Sequence, residues 1–136
     1  MSGLAAVPTI VNDPPLVLCA DDEEDILALV ALRLRRLGCE VTTAVDGPSA
    51  LAIAEERVPD VVVLDVMMPR LTGLEVVEAL RANPRLTGVK VVLLSARVQE
   101  TDVDLGFEAG ADAYLKKPFK ANELLGVVES LLARVD

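Results

Sequence analysis

Residues 61–70 read VVVLDVMMPR. Four aliphatic residues lead into a single aspartate, Asp65, and apolar residues resume after it. A near-continuous Val/Leu run is the pattern of a strand buried on both faces, as in a parallel sheet with helices on each side. An ionised carboxylate rarely sits in such surroundings without partners. The stretch therefore predicts a central parallel strand that ends in an acid with a task.

Four further apolar runs flank it: LVLCA (16–20), CEVTTAV (39–45), VKVVLLSA (89–96) and ADAYLK (111–116). The run at 89–96 is as continuous as that at 61–66. The run at 39–45 alternates more, as expected near a sheet edge. Helical patterns separate the runs. Ile26, Leu29, Val30, Leu34 and Leu37 recur at helical spacing before Gly38. DGPSALAIAEER places Pro48 in a first turn, where proline is tolerated. Gly73 to Ala82 aligns Leu74, Val77 and Leu80, and Asn83-Pro84 ends it. A weaker helix is predicted over 100–109. A last one over about 120–134 carries Leu124, Val128, Leu131, Leu132 and Val135. Strand and helix thus alternate five times, which implies parallel strands with right-handed crossovers. The expected fold is α/β: a five-stranded doubly wound parallel sheet, flavodoxin-like, in strand order 2-1-3-4-5. One domain is expected over 16–136, preceded by a loose tail at 1–15.

Composition narrows the function. The chain has 136 residues, 52% hydrophobic but only 2% aromatic, so its core is aliphatic. A net charge of −9 argues against direct nucleic-acid or anionic-membrane binding. Histidine is absent, which excludes Ser-His-Asp and Cys-His catalysis and His-ligated zinc. Cys19 and Cys39 match no metal spacing and read as small core residues in a reducing compartment. No basic leader is present, and no apolar run approaches the ~20 residues of a membrane helix.

In an open parallel sheet, ligands bind beyond the carboxyl ends of the strands. Asp21 and Asp22 follow the first run, Asp65 ends the third, Ser95 lies at the end of the fourth and Lys117 follows the fifth. All five converge on one rim. Clustered carboxylates repel, and a divalent cation relieves that repulsion. Carboxylate, carbonyl and water ligands suit Mg²⁺, which often bridges to phosphate. Each residue also has a plain reading: Asp21 and Asp22 as helix caps, Ser95 as a turn residue, Lys117 as a solvated loop lysine, and Pro118 as the opening of the last helix. The set at four strand ends outweighs those separate readings.

CADDEE, LDVMMPRLTGLE, VVLLSA and GADAYLKKPF occur in this order at family-like spacing. By them the chain, over about residues 16–134, resembles the receiver domain of bacterial response regulators, the chemotaxis-regulator-like module of two-component signal transduction. The resemblance implies that Asp65 is the phosphoacceptor, taking a phosphoryl group from a sensor histidine kinase or phosphotransfer protein. It implies one Mg²⁺ held by Asp21, Asp22, Asp65 and the backbone carbonyl of Met67. It makes Ser95 the switch hydroxyl, Lys117 (not its neighbour Lys116) the site lysine, and Tyr114 the switch aromatic. Gly73 matches the glycine that opens the third helix. The fourth helix, fifth strand and last helix are the implied face for a downstream effector or a self-dimer. The implied location is cytoplasmic, with no membrane partner. The implied role is signalling rather than enzymatic, with the domain assisting its own phosphorylation and dephosphorylation.

Three rival functions fit the sequence less well. A haloacid dehalogenase-type phosphatase needs a second acid two residues after its nucleophile, where this chain has Met67. A nucleotide-binding module needs a Gly-rich turn after the first strand, where this chain has ADDEE. A degenerate receiver acting only as a docking module would not need the complete set of motif residues.

Overall fold

The computed structural model describes residues 12–96 and 99–133. Five strands and five helices alternate: β1 (Leu16–Ala20), α1 (Glu24–Arg36), β2 (Glu40–Ala44), α2 (Gly47–Arg57), β3 (Val61–Asp65), α3 (Gly73–Ala82), β4 (Lys90–Ser95), α4 (Glu100–Ala109), β5 (Ala113–Lys116) and α5 (Ala121–Leu132). All strand pairs are parallel, in the order β2-β1-β3-β4-β5. The expected fold is therefore the observed one, and the alternating run at 39–45 supplies an edge strand.

Side chains of the strands alternate between two cores, which explains why the central runs are apolar at every position. Leu18, Val62, Leu64, Val91 and Leu93 pack with Ala50 and Ala54 of α2 and Val76, Val77 and Leu80 of α3. Val17, Cys19, Val61, Val63, Val92 and Leu94 pack with Leu27, Val30 and Leu34 of α1 and Leu124, Val128 and Leu131 of α5. Both cysteines are buried and free. Burial pushes the Cys19 thiol up to about 12, so it is an inert core residue.

The helical faces differ in part from the sequence expectation. On α1 the buried residues are Leu27, Val30, Ala31 and Leu34, while Leu29 and Leu37 are exposed. On α3, Val76 joins Val77 and Leu80, and Leu74 is only half-buried. The reason is common to both: each helix carries more aliphatic residues than one stripe holds, and only docking on the sheet selects the buried stripe. Val135, expected in the last core stripe, lies outside the described residues, as do Arg97 and the tail up to residue 11. At the end of that tail Asn12 donates from Nδ2 to Asp60 Oδ2 (2.9 Å) and to the Val58 carbonyl (3.2 Å). Asp60 also accepts from the Leu16 amide, so it ties the start of β1 to the start of β3.

Local chemistry sets the helix starts. Asp46 caps α2 by accepting from the Ser49 amide, with Pro48 in the first turn. Thr72 and Glu75 form a reciprocal capping box at α3. Pro118 does not open α5, contrary to its plain reading. The helix begins at Ala121 after Lys120, and Pro118 lies in the connecting loop behind a cis Lys117–Pro118 bond.

Candidate functional site

The carboxyl ends of β1, β3, β4 and β5 form one rim, and the residues singled out there meet. Asp65 ends β3 and is buried. The chain turns at once: the Met67 amide donates back to Asp65 Oδ1 (3.2 Å), and the Gly73 amide donates to the Val66 carbonyl (2.9 Å). Gly73 is required by that close return, since a Cβ there would lie 2.6 Å from the Asp65 carbonyl oxygen. Asp21 follows β1 and is also buried. Its Oδ1 accepts from the Glu23 amide, so Asp21 shapes a turn; Glu23 holds the N-cap position of α1, with no side-chain cap hydrogen bond. Asp22 beside it is exposed. Asp21, Asp22 and Asp65 each bring a carboxylate oxygen within 4.8 Å of the others.

Lys117 closes the cluster. Its ammonium donates to Asp21 Oδ2 (2.7 Å) and Glu23 Oε1 (3.1 Å) and lies 3.3 Å from Asp65 Oδ2. Lys117 is thus no solvated loop lysine. Ser95, fully buried at the end of β4, accepts through its carbonyl from the Lys117 amide (2.8 Å), which joins the two rim positions. Tyr114 sits in β5 opposite Leu93 of β4 and packs against the α2–α3–α4 side of the core.

The electrostatics follow from this packing. Burial, then the charge of Asp21, pushes the Asp65 carboxyl up to about 6, although Lys117 and the Met67 amide pull the other way. Burial disfavours the Lys117 ammonium. Hydrogen bonds to Asp21 and Glu23 and the charges of Asp65 and Asp21 outweigh it and hold Lys117 above the usual lysine range. Two acids and one ammonium out of water leave negative charge uncompensated. An all-oxygen donor set of three carboxylates is the chemistry that takes a hard divalent cation, so the residues present fit Mg²⁺.

Residues 17–129 match the response regulator receiver domain family. The chain belongs to that family. It is a receiver domain of two-component response regulators. It is 51% identical over 120 residues to the transcriptional regulatory protein PrrA of Mycobacterium tuberculosis, covering 88% of this chain and 51% of that protein. The chain spans about half the length of the curated relatives it matches. Its structure is similar to that of the chemotaxis response regulator CheY4 of Vibrio cholerae, with TM-score 0.83, 35% identity, and coverage of 87% and 98% of the two chains. It is also similar to the receiver domain of a sensor histidine kinase from Pseudomonas aeruginosa, which holds a magnesium ion in its active-site cleft. There the TM-score is 0.81 at 28% identity, over 88% and 98% of the two chains.

Within the receiver domain, one contributor escaped sequence reasoning. Glu23 shares the Lys117 ammonium, yet in ADDEE it reads only as a favourable charge at a helix start. Nothing in five consecutive acids tells which of them turns toward the rim. Among the described residues no helix is long and apolar enough to cross a membrane.

Proposed function

We propose that Asp65 accepts a phosphoryl group from a phosphohistidine of a sensor kinase or phosphotransfer protein, and that this modification switches partner binding. The observation that carries the reading is a buried carboxylate at the end of the central strand, flanked by two acids and a lysine that reaches it from the far side of β4. A carboxylate oxygen of Asp65 attacks phosphorus, and the bond from phosphorus to the donor imidazole breaks. The imidazole nitrogen leaves with the electron pair and takes a proton from water. Asp21, Asp22, Asp65 and the Met67 carbonyl would hold one Mg²⁺, which when bound supplies positive charge against the phosphoryl oxygens. Lys117 orients Asp65 and pairs with an oxygen of the transferred group. The site is pre-organised for this because Asp21 and Glu23 hold the ammonium in place.

The switch follows from Ser95. Its hydroxyl hydrogen-bonds the phosphoryl group once Asp65 is modified, which draws the segment after β4 toward the site and lets Tyr114 turn inward. The surface of α4, β5 and α5 then changes, and phosphorylation acts by shifting a population between two states. That surface is the proposed contact for an effector or a second copy, in a cytoplasmic protein. Relatives twice as long are transcriptional regulatory proteins, which supports an output through contacts rather than chemistry.

The deciding experiment is intact-mass measurement after incubation with Mg²⁺ and acetyl phosphate. Wild type should gain one phosphoryl mass and Asp65→Asn none. A gain that persists in Asp65→Asn removes Asp65 as the acceptor.

A further inference from the structure

We infer that Gly106, in the middle of α4, is the positioning residue for Tyr114, and that the missing side chain at 106 sets how far the tyrosine ring can seat against the helix. A Cβ at Gly106 would lie 2.9 Å from Tyr114 Cδ2 and 3.0 Å from Cε2, and 3.1 Å from Leu93 Cδ1. The ring therefore rests on bare helix backbone, between α4 and the strand neighbour Leu93. Leu105 and Phe107 on either side of it are exposed, and Gly106 is the only residue of α4 that is buried.

A Cβ at 106 must displace something, and the surroundings decide what. Retreat of the helix is resisted, because its C-terminal end is clamped. Arg81 of α3 donates from Nη2 (2.7 Å) and Nε (3.0 Å) to the Gly110 carbonyl, and from Nη1 to the carbonyls of Val89 (2.7 Å) and Thr87 (3.0 Å). The Nη2 also reaches Asp112 Oδ2, which accepts from the Val91 amide of β4. Leu93 lies in β4, buried and paired on both sides. Tyr114 is only half-buried and stands on an edge strand, so an added methyl displaces its ring, toward solvent, before it displaces Leu93 or the helix. Residue 106 therefore biases Tyr114 between seated and outward positions. This rests on the proposed switching of Tyr114, which the test below checks separately.

Tyr114 is the sole tyrosine, and tryptophan is absent. Tyrosine emission therefore reports this ring alone. In the unphosphorylated full chain, Gly106→Ala should raise acrylamide quenching of that emission roughly twofold as the population moves outward. Asp65 should still gain one phosphoryl mass from acetyl phosphate, since Gly106 lies outside the acceptor site. Gly126→Ala in α5, where a Cβ meets open space, should change neither. Unchanged quenching in Gly106→Ala, or an equal rise in Gly126→Ala, overturns the inference. Should Gly106→Ala fail to fold, folding restored by Tyr114→Leu supports the ring as the clashing group, and failure in both backgrounds overturns it. Wild-type emission that does not respond to phosphorylation refutes Tyr114 as the switch while leaving its seat on Gly106 to the quenching result.

Discussion

Lys117 and Asp21 stand at the ends of β5 and β1, strands separated in the sheet by β3 and β4, yet the lysine ammonium lies 2.7 Å from the aspartate Oδ2. The lysine spans the rim, and on its way it passes 3.3 Å from Asp65. One side chain therefore holds the strand ends together and balances part of the charge of the cluster.

Removing that ammonium should have opposite effects on two measurements. Lys117→Met leaves the buried Asp21 without its cation, so the metal-free protein should lose about 3 kcal/mol of stability. The same loss makes the cluster more negative, so Mg²⁺ affinity measured by calorimetry should rise. Phosphorylation by acetyl phosphate should still slow by roughly tenfold or more, because the positioned charge beside Asp65 is gone. Weaker Mg²⁺ binding in this variant would contradict this charge balance.

Metal-free stability should depend on pH through Asp65. Its carboxyl is pushed up to about 6 in the folded protein, against roughly 3.9 in an unfolded chain. Between those values the folded state holds the proton and the unfolded state does not, so stability falls as pH rises. The favourable contribution is fully present below about pH 4 and is lost above about pH 6. In EDTA at pH 7, Asp65→Asn should exceed wild type by roughly 1–3 kcal/mol in urea melts, with the difference closing toward pH 4. A difference that is constant with pH would show that Asp65 does not carry this burden.

Magnesium should stabilise the fold and should do so through Asp22. Asp21 is committed to Lys117 and to the Glu23 amide, whereas Asp22 is exposed. Asp22→Ala should weaken Mg²⁺ binding and slow phosphorylation more than Asp21→Ala does. At a hundredfold excess over its dissociation constant Mg²⁺ should add about 2.7 kcal/mol to wild type, and little to the Asp22 variant. Equal Mg²⁺-dependent shifts in melting temperature for the two proteins would place the metal elsewhere.

Loss of the phosphoryl group should be slow. Water must attack in line, and a polar side chain beside the site would orient it. The position two residues after Asp65 is Met67, whose half-exposed side chain offers no useful hydrogen bond. The position two after Ser95 is Arg97, which cannot act as a base. Met67→Asn and Met67→Glu should both shorten the lifetime of the phosphorylated mass after the donor is removed. Unchanged decay in both variants would leave Arg97 or general water access in control.

The sequence alone determined the alternation of elements, the parallel sheet, its order and the rim on which Asp21, Asp22, Asp65, Ser95 and Lys117 fall. These follow from periodicity and chain connectivity, which are local or topological properties. Short, Val-rich continuous runs alternating with helical patterns read as strands covered on both faces, and five βα units leave few ways to arrange them. Tertiary structure alone decided which stripe of α1 is buried, since Leu29 and Leu27 are equally apolar and only contact with the sheet separates them. It decided that Glu23, among five consecutive acids, shares the Lys117 ammonium. It also decided that Gly106 lies under the Tyr114 ring. Each of these depends on distances between segments far apart in the chain, and such distances exist only once both cores have packed.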